Sequence, residues 1–161
     1  ARIRGVELEA FWNVVPHLTL NASGSFNKAE FTDLKAGVPA ALSIQPGRRL
    51  VNTPKVKWAL GAEFTFSGPA GSDGYLRGSV QHSGSTPTSY TSTAANFYRP
   101  AYTNTDVQLG AFFGKTEVQL YVENLTNEFE IFSLGNSQTQ TYPVYSVAPP
   151  RTFGFNVRRS F

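Results

Sequence analysis

The stretch Arg151-Thr-Phe-Gly-Phe-Asn-Val-Arg-Arg-Ser-Phe161 decides the fold. Read with a period of two, Phe153, Phe155, Val157 and Phe161 fall on one face. Thr152, Gly154, Asn156, Arg158 and Ser160 fall on the other. Successive strand residues point to opposite sides, so this alternation describes a strand with one greasy and one wet face. The last residues of a soluble domain usually fray. A greasy strand ending on an aromatic suits instead the final strand of an outer-membrane β-barrel, whose aromatics mark the membrane interface.

The same alternation runs back through the chain. Val6, Leu8, Ala10 and Trp12 share a face in a strand predicted over Ile3 to Val14, opposite Gly5, Glu7 and Glu9. Leu18 to Asn27, Val56 to Phe66, Tyr75 to His82, and the segments around Val107 to Phe113 and Val118 to Val122 repeat the pattern. Between them the connections run short, long, short, long, short, long. Barrels of this kind have short periplasmic turns and long outer loops, so the rhythm gives each strand a direction and leaves Phe161 at the periplasmic rim. Glu7, Glu9, Lys57, Glu63, Arg77, Glu117, Glu123 and Arg158 all take the polar register. Arg159, near the chain end, is the exception, placed where a long side chain can reach the interface. Trp12, Phe66, Tyr75, Phe113 and Phe161 are expected in one aromatic girdle, with Trp58 and Phe153 in the other.

Composition narrows the alternatives. Charged residues make up 16% and aromatics 14% of 161 residues, with a slightly polar mean hydropathy and no apolar run long enough for a membrane helix. Alternation between lipid and a polar lumen reconciles these values. The absence of cysteine excludes a disulfide framework and a thiolate metal site. A net charge of +3, with Arg48-Arg49 and Arg158-Arg159 as doublets, argues against nucleic-acid binding. No phosphate-cradling glycine loop, nucleophile elbow or metalloprotease motif appears, and His17 and His82 stand apart. The reading is therefore not an enzyme, with no metal and no cofactor.

Seven strands do not close a single-chain bacterial barrel, which uses an even number. An open edge in lipid leaves unpaired backbone groups, each costing several kcal/mol. Either partner strands lie on other sequence, or the count is short by one and this is a small eight-stranded barrel. The start on strand-like sequence without a signal peptide, together with the loop parity, favours the first.

Three stretches carry a family resemblance. Arg4-Gly-Val-Glu-Leu-Glu-Ala10, with its proline turn and Leu18-Thr-Leu-Asn-Ala-Ser-Gly-Ser25, resembles a late strand pair of TonB-dependent outer-membrane receptors. Val118-Gln-Leu-Tyr-Val-Glu-Asn-Leu-Thr-Asn127 resembles their penultimate strand and its Asn corner, and residues 150–161 their closing strand. The resemblance implies that residues 1–161 are the C-terminal portion of a barrel of about 22 strands, its plug domain and earlier strands elsewhere. It implies TonB-driven uptake of a scarce nutrient: siderophore-iron, cobalamin, haem or a saccharide. TonB would act through the plug, and the barrel-assembly machinery would read Phe153, Phe155, Val157 and Phe161 as a signal. The partners implied are thus the remaining strands, plug, TonB, assembly machinery, outer-membrane lipid and a small-molecule ligand.

Recognition usually lies in loops on a rigid scaffold, which makes Arg48, Arg49, Tyr90, Tyr98, Arg99, Tyr142 and Tyr145 the ligand-binding candidates. Arginines and tyrosines suit an anionic or aromatic ligand such as a ferric chelate. Two rival readings remain open at this point: a small outer-membrane barrel with a structural or adhesive role, and a soluble β-sandwich binding carbohydrate.

Overall fold

A computed structural model describes the chain except residues 35–36, 38–43, 91–97 and 136–143, and the side chains of 70, 132–135 and 144–145. It contains β1 (Arg2–Val15), β2 (Leu18–Glu30), β3 (Val56–Ser67), β4 (Asp73–Ser83), β5 (Thr86–Pro87), β6 (Tyr98–Arg99), β7 (Tyr102–Phe113), β8 (Thr116–Glu123), β9 (Ile131–Gly135), β10 (Val144–Val147) and β11 (Thr152–Arg159). One seven-stranded antiparallel sheet runs β1-β2-β3-β4-β7-β8-β11, in chain order. Every expected strand is present. The turns at Pro16-His17, Gly68–Ser72 and Gly114-Lys115 lie at one end, and the three long connections at the other.

The two ribbons, β5 with β6 and β9 with β10, lie inside segments expected to be plain loops. Their strands are too short, two to five residues, for a periodicity to register. Strand β7 also begins earlier than expected, at Tyr102. Its first half, Tyr-Thr-Asn-Thr-Asp, alternates β-branched with polar residues, and greasiness alone overlooks it.

Register settles which side chains share a face. Trp12, Leu20, Ala62, Gly78, Val107, Val122 and Phe153 form one row across all seven strands of the sheet. On that side Leu8 is 72% exposed, Trp12 63% and Phe155 71%. Among the described residues the buried hydrophobics are only Ala29 and Tyr75. Burying a large apolar side chain is worth about 1.5–3 kcal/mol, so a sandwich would not leave this many outside. The greasy faces meet no second layer here, which overturns the soluble-sandwich reading.

From Val56 to Phe66 the outward residues of β3 are all uncharged. Ten steps of about 3.3 Å, tilted by about 35–45°, give a band roughly 25 Å tall, the height of a barrel's apolar belt.

The other face is wet and cross-linked. Arg77 pairs with Glu63 directly across β3–β4, and Arg158 Nη1 lies 3.9 Å from Glu117 Oε2 across β8–β11. Tyr75 lies on this side, which corrects its place in the girdle. Its register is that of Arg77, whose guanidinium stacks 4.1 Å from its ring centroid. The Tyr75 hydroxyl donates to Glu117 Oε1 at 2.7 Å and accepts from Gln119 Nε2 at 3.0 Å. Gln119 also donates to Gln108 Oε1 (3.3 Å) and accepts from Asn156 Nδ2 (3.0 Å), linking β4, β7, β8 and β11.

Glycine lets the rings lie flat on the wall. A Cβ at Gly110 would stand 2.3 Å from Tyr75 Cζ, and one at Gly154 2.2 Å from Tyr121 Cζ. The expected result for Tyr75→Phe is a loss of about 1.5–3 kcal/mol, the range for a hydrogen bond to a charged group. Denaturant unfolding of the intact protein measures it, and an unchanged midpoint would remove the network from the stability of this wall.

Candidate functional site

Among the described residues, parts of the long connections touch one another at one end of the sheet. The first doubles back along β2. Glu30 and Arg49 form an antiparallel bridge, Leu50 N donates to Ala29 O (3.0 Å) and Phe31 N to Arg48 O (2.9 Å). Alternation across this short ladder sends the two arginines to opposite sides. Arg48 joins Phe31 and Tyr90, its guanidinium 5.9 Å from the Tyr90 centroid, with Phe31 edge-on to that ring at 5.4 Å. Arg49 Nη2 donates to Thr53 O and Ser85 O, both at 3.3 Å.

The second long connection locks onto the first. Tyr90 Oη accepts from Val51 N at 2.9 Å, and Asn52 N donates to Pro87 O at 2.9 Å. Pro87 pairs with Tyr98 and Thr86 with Arg99 in the ribbon. Arg48, Arg49, Tyr90, Tyr98 and Arg99 therefore belong to one joined assembly, with Tyr98 half-exposed. Tyr142 lies outside the described residues. Tyr145 is on β10 opposite Leu134, and its side chain is likewise outside them.

Sequence reasoning confined to loops missed the wall beneath. Glu7, Ser25, Lys57, Ser83 and Tyr102 form one row, and Glu9, Ser23, Ala59, Gln81 and Asn104 the next. Together with Glu130 they line a concavity of about 450 Å³ at the foot of the loops. The small residues Ser23, Ser25, Ala59 and Ser83 make the hollow, and carboxylates with Lys57 give it polarity. Arg99 leans over it, its guanidinium 5.8 Å from the Tyr102 centroid. The Tyr102 hydroxyl hydrogen-bonds with Ser83 and Glu130, while Glu130 Oε1, with Thr86 Oγ1 and Arg99 Nε on the adjoining ribbon, is buried without a hydrogen-bond partner among the described residues. Buried polar atoms are nearly always paired, so such a group marks a place where another molecule or chain can bind. The available signal was the Tyr102-x-Asn104-x-Asp106 alternation, a wet strand face above the greasy band.

The third long connection is tied at its base by the asparagine corner. Asn124 and Asn127 are both left-handed (φ 51° and 55°), a conformation asparagine tolerates. Asn124 Nδ2 donates to Glu128 O (2.9 Å) and Pro149 O (3.2 Å), and its Oδ1 accepts from Glu128 N (2.7 Å). Asn127 Oδ1 accepts from Arg151 N at 3.0 Å, and Asp106 Oδ1 from Asn124 N at 2.9 Å. Both legs of the loop are thereby held against β7.

This arrangement, an outer face uncharged through its middle and a polar inner wall under interlocked loops, can be set beside known proteins. A family model described as TonB dependent receptor-like, beta-barrel, matches residues 1–125. The chain belongs to the TonB-dependent receptor β-barrel family. No curated protein matches it. Two solved receptors share its fold. The ferric yersiniabactin uptake receptor FyuA from Yersinia pestis superposes with a TM-score of 0.81 at 22% identity, over 99% of this chain and 23% of that one. BauA, the ferric preacinetobactin receptor from Acinetobacter baumannii, gives a TM-score of 0.68 at 22% identity, over 96% and 21%. This TonB-dependent receptor segment thus spans less than a quarter of the length of either. Its membrane is the bacterial outer membrane, and its sheet is an arc of barrel wall, unclosed in this chain.

Proposed function

We propose that this chain is the C-terminal wall and outer-loop portion of a receptor that takes up a ferric chelate by TonB-coupled transport. The interlocked loops over a polar concavity carry this reading, and the iron-chelate receptors of similar fold support it. Residues 1–161 act as one structural unit. Strands from the rest of the barrel pair with the open edges of β1 and β11, since unpaired backbone in lipid costs several kcal/mol per group. A plug domain fills the lumen and couples to TonB. The long loops face outward and the short turns face the periplasm. The role is binding and passage, without catalysis.

Arg48 with Tyr90, and Arg99 with Tyr102, present cations beside aromatic faces, which complements the carboxylate and phenolate oxygens of a chelate. Half-exposed Tyr98 stands on the same ribbon as Arg99. Tyr142 and Tyr145, in the third long connection, are proposed as further ligand contacts on their residue type alone. Arg49, held by two loop carbonyls, orders the loop that carries Arg48. Phe153, Phe155 and Val157, all exposed on the greasy face, with Phe161 beyond β11, form the template that the barrel-assembly machinery reads.

The test is binding to the complete receptor in detergent, using ferric catecholate, hydroxamate and phenolate chelates, with cobalamin, haem and oligosaccharides as the other arms. Arg48→Ala is expected to weaken the preferred chelate about tenfold, the scale of one charge-assisted contact. Tight binding of a sugar or of cobalamin, with no chelate bound, would reject this ligand class.

A further inference from the structure

The outward face changes character at the loop end of β1 and β2. Val6 and Phe26 are the last greasy pair, and above them the register sets Arg4 opposite Lys28 and Arg2 opposite Glu30. Arg2, Arg4 and Lys28 are exposed, and Lys28 Nζ lies 3.0 Å from Glu30 Oε2. Three cations against one carboxylate leave this patch a net +2. At the same height the inward residues are Ile3, Gly5, Asn27 and Ala29, none of them charged. Plain solvation of a loop end would scatter charge over both faces. Here it is confined to the side that continues the membrane-facing surface, directly above Val6, Leu8 and Phe26.

We propose that this patch docks the phosphate-bearing headgroup of an outer-leaflet lipid, with acyl chains lying along Val6, Leu8 and Phe26. A lone anion on an open, screened surface gains little. A lipid is held in the plane by its chains, and each nearby Lys or Arg then adds an appreciable increment of attraction. Cations are excluded from mid-membrane but cost almost nothing near the interface, so the position also allows them. The proposal rests on the reading that the long loops lie outside.

The experiment is native mass spectrometry of the complete receptor, titrated with a bisphosphorylated acyl-disaccharide lipid, with the same lipid after phosphate removal, and with inorganic phosphate as competitor. Retention of the phosphorylated lipid alone is expected, without competition by millimolar phosphate. The combined variant Arg2→Gln, Arg4→Gln, Lys28→Gln is expected to bind it roughly a hundredfold more weakly. Equal retention of the two lipids, or competition by free phosphate, would overturn the proposal even if the variant failed to fold. Equal affinity of a folded variant would do the same. Chelate binding is read on the same sample: its failure with lipid retention intact would sink the uptake reading and leave this site standing. Protease cleavage of the long loops from the periplasmic side only would remove the orientation, and this site with it.

Discussion

Leu60→Arg lowers the stability of the complete receptor in lipid by about 2–4 kcal/mol, the cost of a cation on the lipid face near the bilayer midplane. Leu60 stands in the row Ala10, Ala22, Leu60, Val80, Thr105, well inside the uncharged band. Ser79→Arg is the matched control. Ser79 neighbours Val80 at the same depth but takes the wet register, opposite Gly61 and Asp106. An arginine there meets water and a carboxylate, and is expected to cost less than about 1 kcal/mol. Reversible unfolding in lipid vesicles separates the two. Equal losses would mean that the faces have been assigned wrongly.

Asn124→Ala has the second large effect, and a local one. It removes three hydrogen bonds to the chain at Glu128 and Pro149, each worth about 1 kcal/mol net. It also places a Cβ-bearing residue without a compensating side chain in the left-handed region, for about 1 kcal/mol more. Loosening of the β8–β11 connection by about 3–4 kcal/mol is expected, with the sheet intact. Hydrogen exchange at residues 125–131 reads it as two to three decades of lost protection. Asn124→Gly keeps the backbone conformation and loses only the bonds, so it should fall between the wild type and Asn124→Ala. Protection unchanged in both variants would show that the corner does not hold the loop.

The sheet was legible because a wall between two solvents imposes a period of two on every strand. Phe153, Phe155 and Val157 announce a greasy face as plainly as Trp12 or Leu60 does. Tyr75 was misplaced because an aromatic near a strand end fits either face by composition. Only its parity with Arg77 and its hydrogen bond to Glu117 decide the matter. The candidate site was half legible. Arg48, Tyr90 and Arg99 stand out as loop residues of suitable chemistry, whereas Tyr102, Ser83 and Glu130 do not, because their significance lies in what stands beside them.

The sequence by itself determined the seven strands of the wall, its two faces and the membrane to which it belongs, since each follows from neighbours two residues apart. Only the tertiary structure decided that Arg48 and Arg49 part to opposite sides, that Asn124 ties Glu128 to Pro149, and that Glu7, Lys57 and Tyr102 share one hollow. Those relations join residues many positions apart across hydrogen-bonded strands. The register that fixes them is set by the packing of the whole sheet, which no local pattern contains.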